Sequence, residues 1–158
     1  MLSQTVEYGL RAMIHLAALA PDQSVNSEAI AKHTQVPKGY LSKILRDLVV
    51  SGLIASQRGP NGGFMLARPA KSISMLDVIS AVDPIARIRT CPLGNPNHTS
   101  LCPLHRRLDE AIETIERQFA ATSLVEILEV SGQPQTGCGK LSISACPGPC
   151  ADDAGHVA

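Results

Sequence analysis

The 158-residue chain contains no tryptophan, only two tyrosines and two phenylalanines, and no net charge, with 14 Lys plus Arg against 14 Asp plus Glu. So few rings exclude a core built on aromatic stacking. The interior must come from Leu, Ile, Val and Ala, a palette that suits helices better than sheets. Long hydrophobic runs are also missing: the longest uncharged stretch near the N-terminus, Ala12 to Pro21, falls far short of the ~18–20 apolar residues that cross a bilayer. Glu7 and Arg11 interrupt the opening apolar residues, so they form no secretory h-region. The expectation is a cytoplasmic protein with no membrane partner. Five cysteines, an odd number in a chain without an export signal, fit thiols or metal ligands better than a disulfide framework. The lack of net charge argues against a protein that simply coats phosphates, since that needs a strongly basic surface.

What is present is helical spacing. Ser3 to Ala20 carries Val6, Leu10, Met13, Ile14, Leu16 and Ala17, close to the i, i+3, i+4, i+7 recurrence of an amphipathic helix that stops before Pro21. A second short helix follows Asn26 or Ser27 as N-cap, with Glu28 in its first turn, and ends near Thr34. Gln35 and Val36 make a tight connection, and Pro37 suits the first position of a third helix, where its missing N–H goes unpaired anyway. That helix runs to about Ser51 and buries Leu41, Ile44, Leu45, Leu48 and Val49 on one stripe. Gly52 ends it. Leu53 to Gln57 and Phe64 to Ala67 then read as two strands around a glycine-rich tip, Arg58-Gly59-Pro60-Asn61-Gly62-Gly63. Three helices with a short second turn, followed by a hairpin, make a mainly α fold with a small β-hairpin wing: a winged helix-turn-helix.

Beyond residue 70 the chain changes character. Ser74 to Val82 reads as a short helix and Pro84 to Leu101 as a loop. From Pro103 a long helix carries Leu104, Leu108, Ala111, Ile112, Ile115 and Phe119 on one apolar stripe, best buried against a second copy of itself. Leu124 to Val130 is helical again, and Ser131 to Ala158 reads as a disordered Gly/Pro/Ser-rich tail holding Cys138, Cys146 and Cys150. Three regions result: a DNA-binding unit over 1–70, sensor loop and dimerisation helices over 71–130, and the tail over 131–158.

This division resolves the missing net charge. Residues 1–70 hold seven basic and four acidic residues, a net of +3, and residues 71–158 carry −3. The excess cations fall on the elements that would read DNA. Lys38, Tyr40, Ser42 and Lys43 lie in the exposed N-terminal part of the third helix, with Arg46 a turn further. Such donors reach base edges in the major groove while cations fix register on the backbone. The wing adds Arg58, and Gly59, Asn61, Gly62 and Gly63 let its backbone approach a phosphate or the minor groove closely. The competing view is a solvated helix face beside a surface hairpin. A phosphate-binding loop is excluded, because an apolar strand follows the glycines and no Lys stands among them. A GXXG loop of the RNA-binding kind links helices, and this one links strands.

The segments Glu7-Tyr8-Gly9-Leu10-Arg11-Ala12, Tyr40-Leu41, Arg58-Gly59-Pro60-Asn61-Gly62-Gly63 and Asp77-Val78-Ile79, in this order, resemble the NsrR/IscR-type family of bacterial winged-helix regulators over roughly residues 1–130. The Arg-Gly-x-x-Gly-Gly wing is the most specific part. The resemblance implies a transcription regulator, and no enzyme is expected, since no nucleophile–base pair stands out and the His/Cys cluster lacks a nearby motif Glu for hydrolytic chemistry. It would be a homodimer that reads a palindromic operator in double-stranded DNA through its third helix and wing, with a cluster-binding loop beside the long dimer helix.

Cys91, His98, Cys102 and His105 lie within fifteen residues. With a helix starting at Pro103, Cys102 is its N-cap and His105 lies one turn on, so both can ligate one centre. A helix N-terminus favours the thiolate that binds metal. Cluster-binding members of the family commonly use three loop cysteines plus a His in the loop helix or a carboxylate from the first helix. By that resemblance Cys91 and Cys102 match the first and third cysteines and His105 the loop-helix His. His98 lies near the absent middle cysteine, and Glu7 falls where some relatives supply an acidic ligand from the partner subunit. Two cysteines with two non-thiolate ligands favour a [2Fe-2S] over a [4Fe-4S] cluster, since imidazole replaces thiolate on one iron in known centres. Zinc takes the same ligands and is the alternative. The resemblance thus implies a repressor whose DNA affinity follows a redox- or nitric-oxide-sensitive cluster.

Overall fold

The computed structural model describes residues 2–20, 23–59, 62–91 and 101–132. Helix α1 (Gln4–Ala17) begins where the Ser3 hydroxyl accepts the Val6 N–H at 3.4 Å, and it buries Val6, Gly9, Ala12, Met13 and Leu16. It ends at Ala17, short of Ala20, because the chain turns there. The Ala20 N–H donates to the Gln23 side chain, and the Gln23 N–H donates back to the Ala20 carbonyl at 3.1 Å. Helix α2 (Ser27–Thr34) takes Asn26 as its cap, with the Asn26 Oδ1 accepting the Ala29 N–H at 2.8 Å. The buried Thr34 hydroxyl donates to the Ile30 carbonyl at 2.7 Å, and Gln35 turns the chain in the left-handed region at φ 56°.

Helix α3 (Lys38–Val50) buries Leu41, Ile44, Leu45 and Leu48, the expected stripe except for half-buried Val49. Pro37 stands one position earlier than its sequence suggests: it is the N-cap, extended at ψ 134°, and not the first helical residue. In that conformation its carbonyl accepts the N–H groups of Tyr40 and Leu41, both at 3.0 Å. Strands β1 (Ile54–Gln57) and β2 (Gly63–Leu66) pair antiparallel from Ile54 with Leu66 to Gln57 with Gly63. β1 starts one residue later than expected and ends at Gln57 as expected, whereas β2 is displaced by one residue toward the N-terminus. Val25 adds a bridge to Phe64 on the outer edge of β2, with N–H to carbonyl distances of 3.0 and 2.8 Å. A Cβ at residue 63 would stand 2.5 Å from the Val25 carbonyl carbon, so this close approach requires Gly63. The result is a winged helix-turn-helix.

A 3-10 turn (Ala70–Ser72) leads to α4 (Met75–Val82). Ser74 and Asp77 cap α4 reciprocally, side chain to backbone in both directions, at 3.1 and 2.9 Å. Helix α5 (Pro103–Ala121) follows, then α6 (Leu124–Gly132). The Leu124 N–H donates to the Ile73 carbonyl at 3.0 Å and the Met75 N–H to that of Thr122 at 2.9 Å, which returns α6 to the body. Ile73, Val78 and Leu124 share one buried cluster with Met13, Ile44 and Leu48, so packing continues across residue 70. Helix α5 contributes no buried residue, and Leu104, Leu108 and Ile115 are 65%, 47% and 47% exposed. None of the helices is long and apolar enough to cross a membrane, among the described residues. The expected tail, with Cys138, Cys146 and Cys150, lies outside them apart from the end of α6.

Leu48, fully buried, lies where α3 meets the rest of the core. Leu48→Ala is expected to cost roughly 2–5 kcal/mol, whereas Val50→Ala, at a residue 82% exposed, changes stability by less than about 0.5 kcal/mol. Chemical denaturation of the two variants checks the contrast.

Candidate functional site

On α3 the buried stripe turns Lys38, Tyr40, Ser42, Lys43 and Arg46 outward, and all five are exposed. They are not equally free. The Lys38 ammonium donates to Glu28 at 2.6 Å, and this hydrogen bond, with the charge of Lys38, lowers the Glu28 carboxyl below its ordinary range. The Tyr40 ring meets Tyr8 edge-on with centroids 6.0 Å apart, and the Ser42 hydroxyl donates to the Lys38 carbonyl at 3.1 Å. Arg46 lies 3.5 Å from its neighbour Asp47. Arg58 and Gly59 stand exposed at the wing, with Gly59 at φ 124°, a conformation that favours glycine. The Gly62 N–H closes the tip onto the Gly59 carbonyl at 2.9 Å. Asn61 lies outside the described residues.

The second constellation is soft. Cys102 is the N-cap of α5 and His105 sits in the first turn, so helix geometry brings the Cys102 Sγ to 3.1 Å from the His105 Nδ1. Cys91 arrives from the segment after α4, with its Sγ 3.7 Å from the same nitrogen. The three donor atoms lie within 4.8 Å of one another, half-buried, and both thiols are free. With ligand bonds of ~2.0–2.3 Å in a tetrahedron, two donors of one ion stand roughly 3.3–3.8 Å apart. The thiol-to-imidazole distances of 3.1 and 3.7 Å lie near that range, so the three residues suit a metal once their donors close on it. His98 lies outside the described residues. Glu7 is not in this group within the chain; it sits in the first turn of α1, paired with Arg11.

One arginine ties the two halves of the centre together. Arg87, on the segment that leads to Cys91, forks onto Asp109 with its Nε and Nη2 both at 2.7 Å from the two carboxylate oxygens. The same guanidinium reaches Glu116 at 3.0 Å and Glu113 at 3.2 Å, and the next residue, Ile88, donates its N–H to Asp109 at 2.9 Å. These contacts raise the Arg87 guanidinium above its usual range. The Arg87 hydrogen bond holds the Asp109 carboxyl down to about 2.

Residues 2–130 match the family model described as "Rrf2: Iron-dependent Transcriptional regulator". The chain belongs to the Rrf2 family. Its members are DNA-binding transcription regulators, not enzymes. Among solved structures, IscR of T. potens superposes with a TM-score of 0.71 at 24% identity, covering 88% of this chain and 93% of that one. CymR of Staphylococcus aureus gives a TM-score of 0.64 at 27% identity, covering 80% and 97%. The "Global Cysteine Regulator" CymR of B. subtilis gives 0.65 at 24%, covering 82% and 97%.

In this Rrf2-family chain, sequence spacing anticipated Cys102 and His105, which share one helical turn. Arg87 and Asp109 had no such signal, being 22 residues apart. The regular spacing of Asp109, Glu113 and Glu116 on α5 was readable as an acidic strip, but its partner was not. Asp109 is depressed from its ordinary value of 3.8 to about 2, so its ion pair is fully present above about pH 4. It is lost as pH falls toward 2. An NMR titration is expected to move the Ile88 amide and the Asp109 carboxyl carbon together in that window, and Arg87→Gln should shift the Asp109 midpoint up toward 3.8.

Proposed function

We propose that this Rrf2-family protein is a homodimeric repressor, acting in the cytoplasm, whose affinity for a palindromic operator follows a redox- or nitric-oxide-sensitive iron–sulfur cluster. The convergence of Cys91, Cys102 and His105 within 4.8 Å carries this reading. Two thiolates and an imidazole suit a [2Fe-2S] cluster, and Glu7 of the partner subunit or His98 supplies the fourth ligand. When bound, the cluster supplies one-electron chemistry and reactivity toward nitric oxide. Glu7 must leave Arg11 to serve as a ligand. The exposed apolar stripe of α5, with Leu104, Leu108 and Ile115, supports dimerisation along that helix.

Residues 1–70 serve in this reading as the DNA-binding unit and 71–130 as sensor and dimer helices. Lys43, Arg46 and the N-terminal residues of α3 enter the major groove, and Arg58 with the wing glycines meets the minor groove. A change at the Cys91 centre shifts its segment along α5 and alters the tilt of two reading heads whose half-sites lie ~34–36 Å apart. A second reading has support of its own: the two free thiols lie close enough for a zinc or thiol-based switch. One solved relative at 25% identity is S. aureus CymR in its "oxidized form".

Anaerobic purification followed by a visible spectrum and iron, sulfide and zinc analysis tests the cluster; a colourless protein with stoichiometric zinc would sink it in favour of the second reading. Lys43→Ala and Arg58→Ala should each weaken binding to duplex fragments selected by the wild-type protein by about 1–3 kcal/mol. Unchanged affinity in both, measured by fluorescence anisotropy, would move the reading surface elsewhere.

A further inference from the structure

The Cys91 centre joins two unlike pieces of chain. Cys102 and His105 are fixed to each other by the first turn of α5, whereas Cys91 belongs to a segment, 83–91, with no helix or strand of its own. Among the described residues, the hydrogen bonds that tie this segment to α5 outside the centre run from Arg87 and Ile88 to Asp109, Glu113 and Glu116. His105, Asp109 and Glu113 are spaced i, i+4, i+8, and Glu116 three residues on, so they form one strip along the helix with His105 at its N-terminal end. Arg87 grips that strip one turn below His105. The four residues to Cys91 then lead up the strip to the imidazole, over an axial rise of only ~6 Å between Asp109 and His105.

We propose that Arg87 is the positioning residue of this centre, its forked ion pair with Asp109 delivering Cys91 to Cys102 and His105. The inference rests on the metal or cluster reading above for its consequence in binding, but its geometric half stands in the metal-free protein. Without the fork, the only tie left between this segment and α5 ahead of Cys91, among the described residues, is the single Ile88 N–H to Asp109 hydrogen bond, and the next anchor is the end of α4 at Val82, nine residues away. The side chain at 87 is only 22% exposed and lies against Asp109 at 18%, so the pairing is partly shielded from solvent. Lysine cannot reproduce it, because an ammonium lacks the planar fork that engages both carboxylate oxygens.

Charge alone predicts the opposite effect of position, which makes the role testable. Removing the guanidinium leaves Asp109, Glu113 and Glu116 uncompensated near the centre, and a purely electrostatic role would then tighten the binding of a cation. The full chain carrying Cys138→Ser, Cys146→Ser and Cys150→Ser, in which only Cys91 and Cys102 remain as thiols, is compared with and without Arg87→Met and Arg87→Lys. Co²⁺ affinity is read from its thiolate charge-transfer band. In the metal-free protein the rate at which dibromobimane bridges the two thiols reports their proximity. Arg87→Met is expected to lower Co²⁺ affinity by about 10–100-fold, as loss of an outer-shell contact does, and to slow bridging several-fold, while circular dichroism is unchanged. Arg87→Lys falls between. Equal or tighter Co²⁺ binding together with unchanged bridging in Arg87→Met overturns the proposal. If the parent protein binds no Co²⁺, the metal reading fails separately and the bridging rates still decide the role of Arg87. Should Arg87→Met fail to fold, Arg87→Lys, which keeps the charge and loses only the fork, decides by the same affinity and bridging rate.

Discussion

The burial of one face of α1 is the constraint on which the remaining packing depends. Helices α2, α3, α4 and α6 and strand β2 all contact α1, and Ala12 and Met13 at its centre are fully inaccessible. Small residues allow this crowding. A Cβ on Gly9 would meet both methyl groups of Val82 at 3.3 Å and a methyl of Ile44 at 3.8 Å, so α4, which precedes the Cys91 segment, and α3 approach α1 at the same point. Close-packed interiors transmit displacement instead of absorbing it, and α3 also touches α4 directly. The segment that carries Cys91 therefore begins from an element already seated in the core shared with α1 and α3.

Helix α5 is built on the contrary principle. It buries no residue of its own and stands against α4 and the 84–89 segment. Its anchorage is directional: a guanidinium on a row of carboxylates, with apolar residues left outward on a neighbouring stripe. An ion pair of this partly exposed kind adds little to stability, but it fixes register in a way that apolar contact cannot, since the fork fits the two oxygens in one orientation. A segment held so can move as a unit. The metal-ligand candidates sit where this segment meets the first turn of α5.

Most of the winged-helix unit was legible because its signals are local. The apolar stripe of α3 is spaced by helix geometry, Asn26 and Ser74 have side chains that cap the turn they open, and Cys102 with His105 needs only three residues of helix to converge. Boundaries slipped where a neighbour outside the element decided them. Pro37 became an N-cap and not the first helical residue because its carbonyl serves Tyr40 and Leu41. Helix α1 ended early because Gln23 captured the Ala20 N–H. Lys38 and Tyr40 read as free donors, but Glu28 and Tyr8, distant in sequence, already engage them.

By itself, then, the sequence determined the helices, the hairpin, the basic first half and the presence of soft ligands, since periodicity, capping and charge act over a few residues. Only the tertiary structure decided that Cys91 reaches His105, because that meeting depends on Arg87 finding Asp109 and Glu116 across 22 and 29 residues. No local rule encodes such a pairing. It forms because α4, packed on α1, and the strip of carboxylates on α5 arrive side by side, and one guanidinium then has its complementary charge within hydrogen-bond reach.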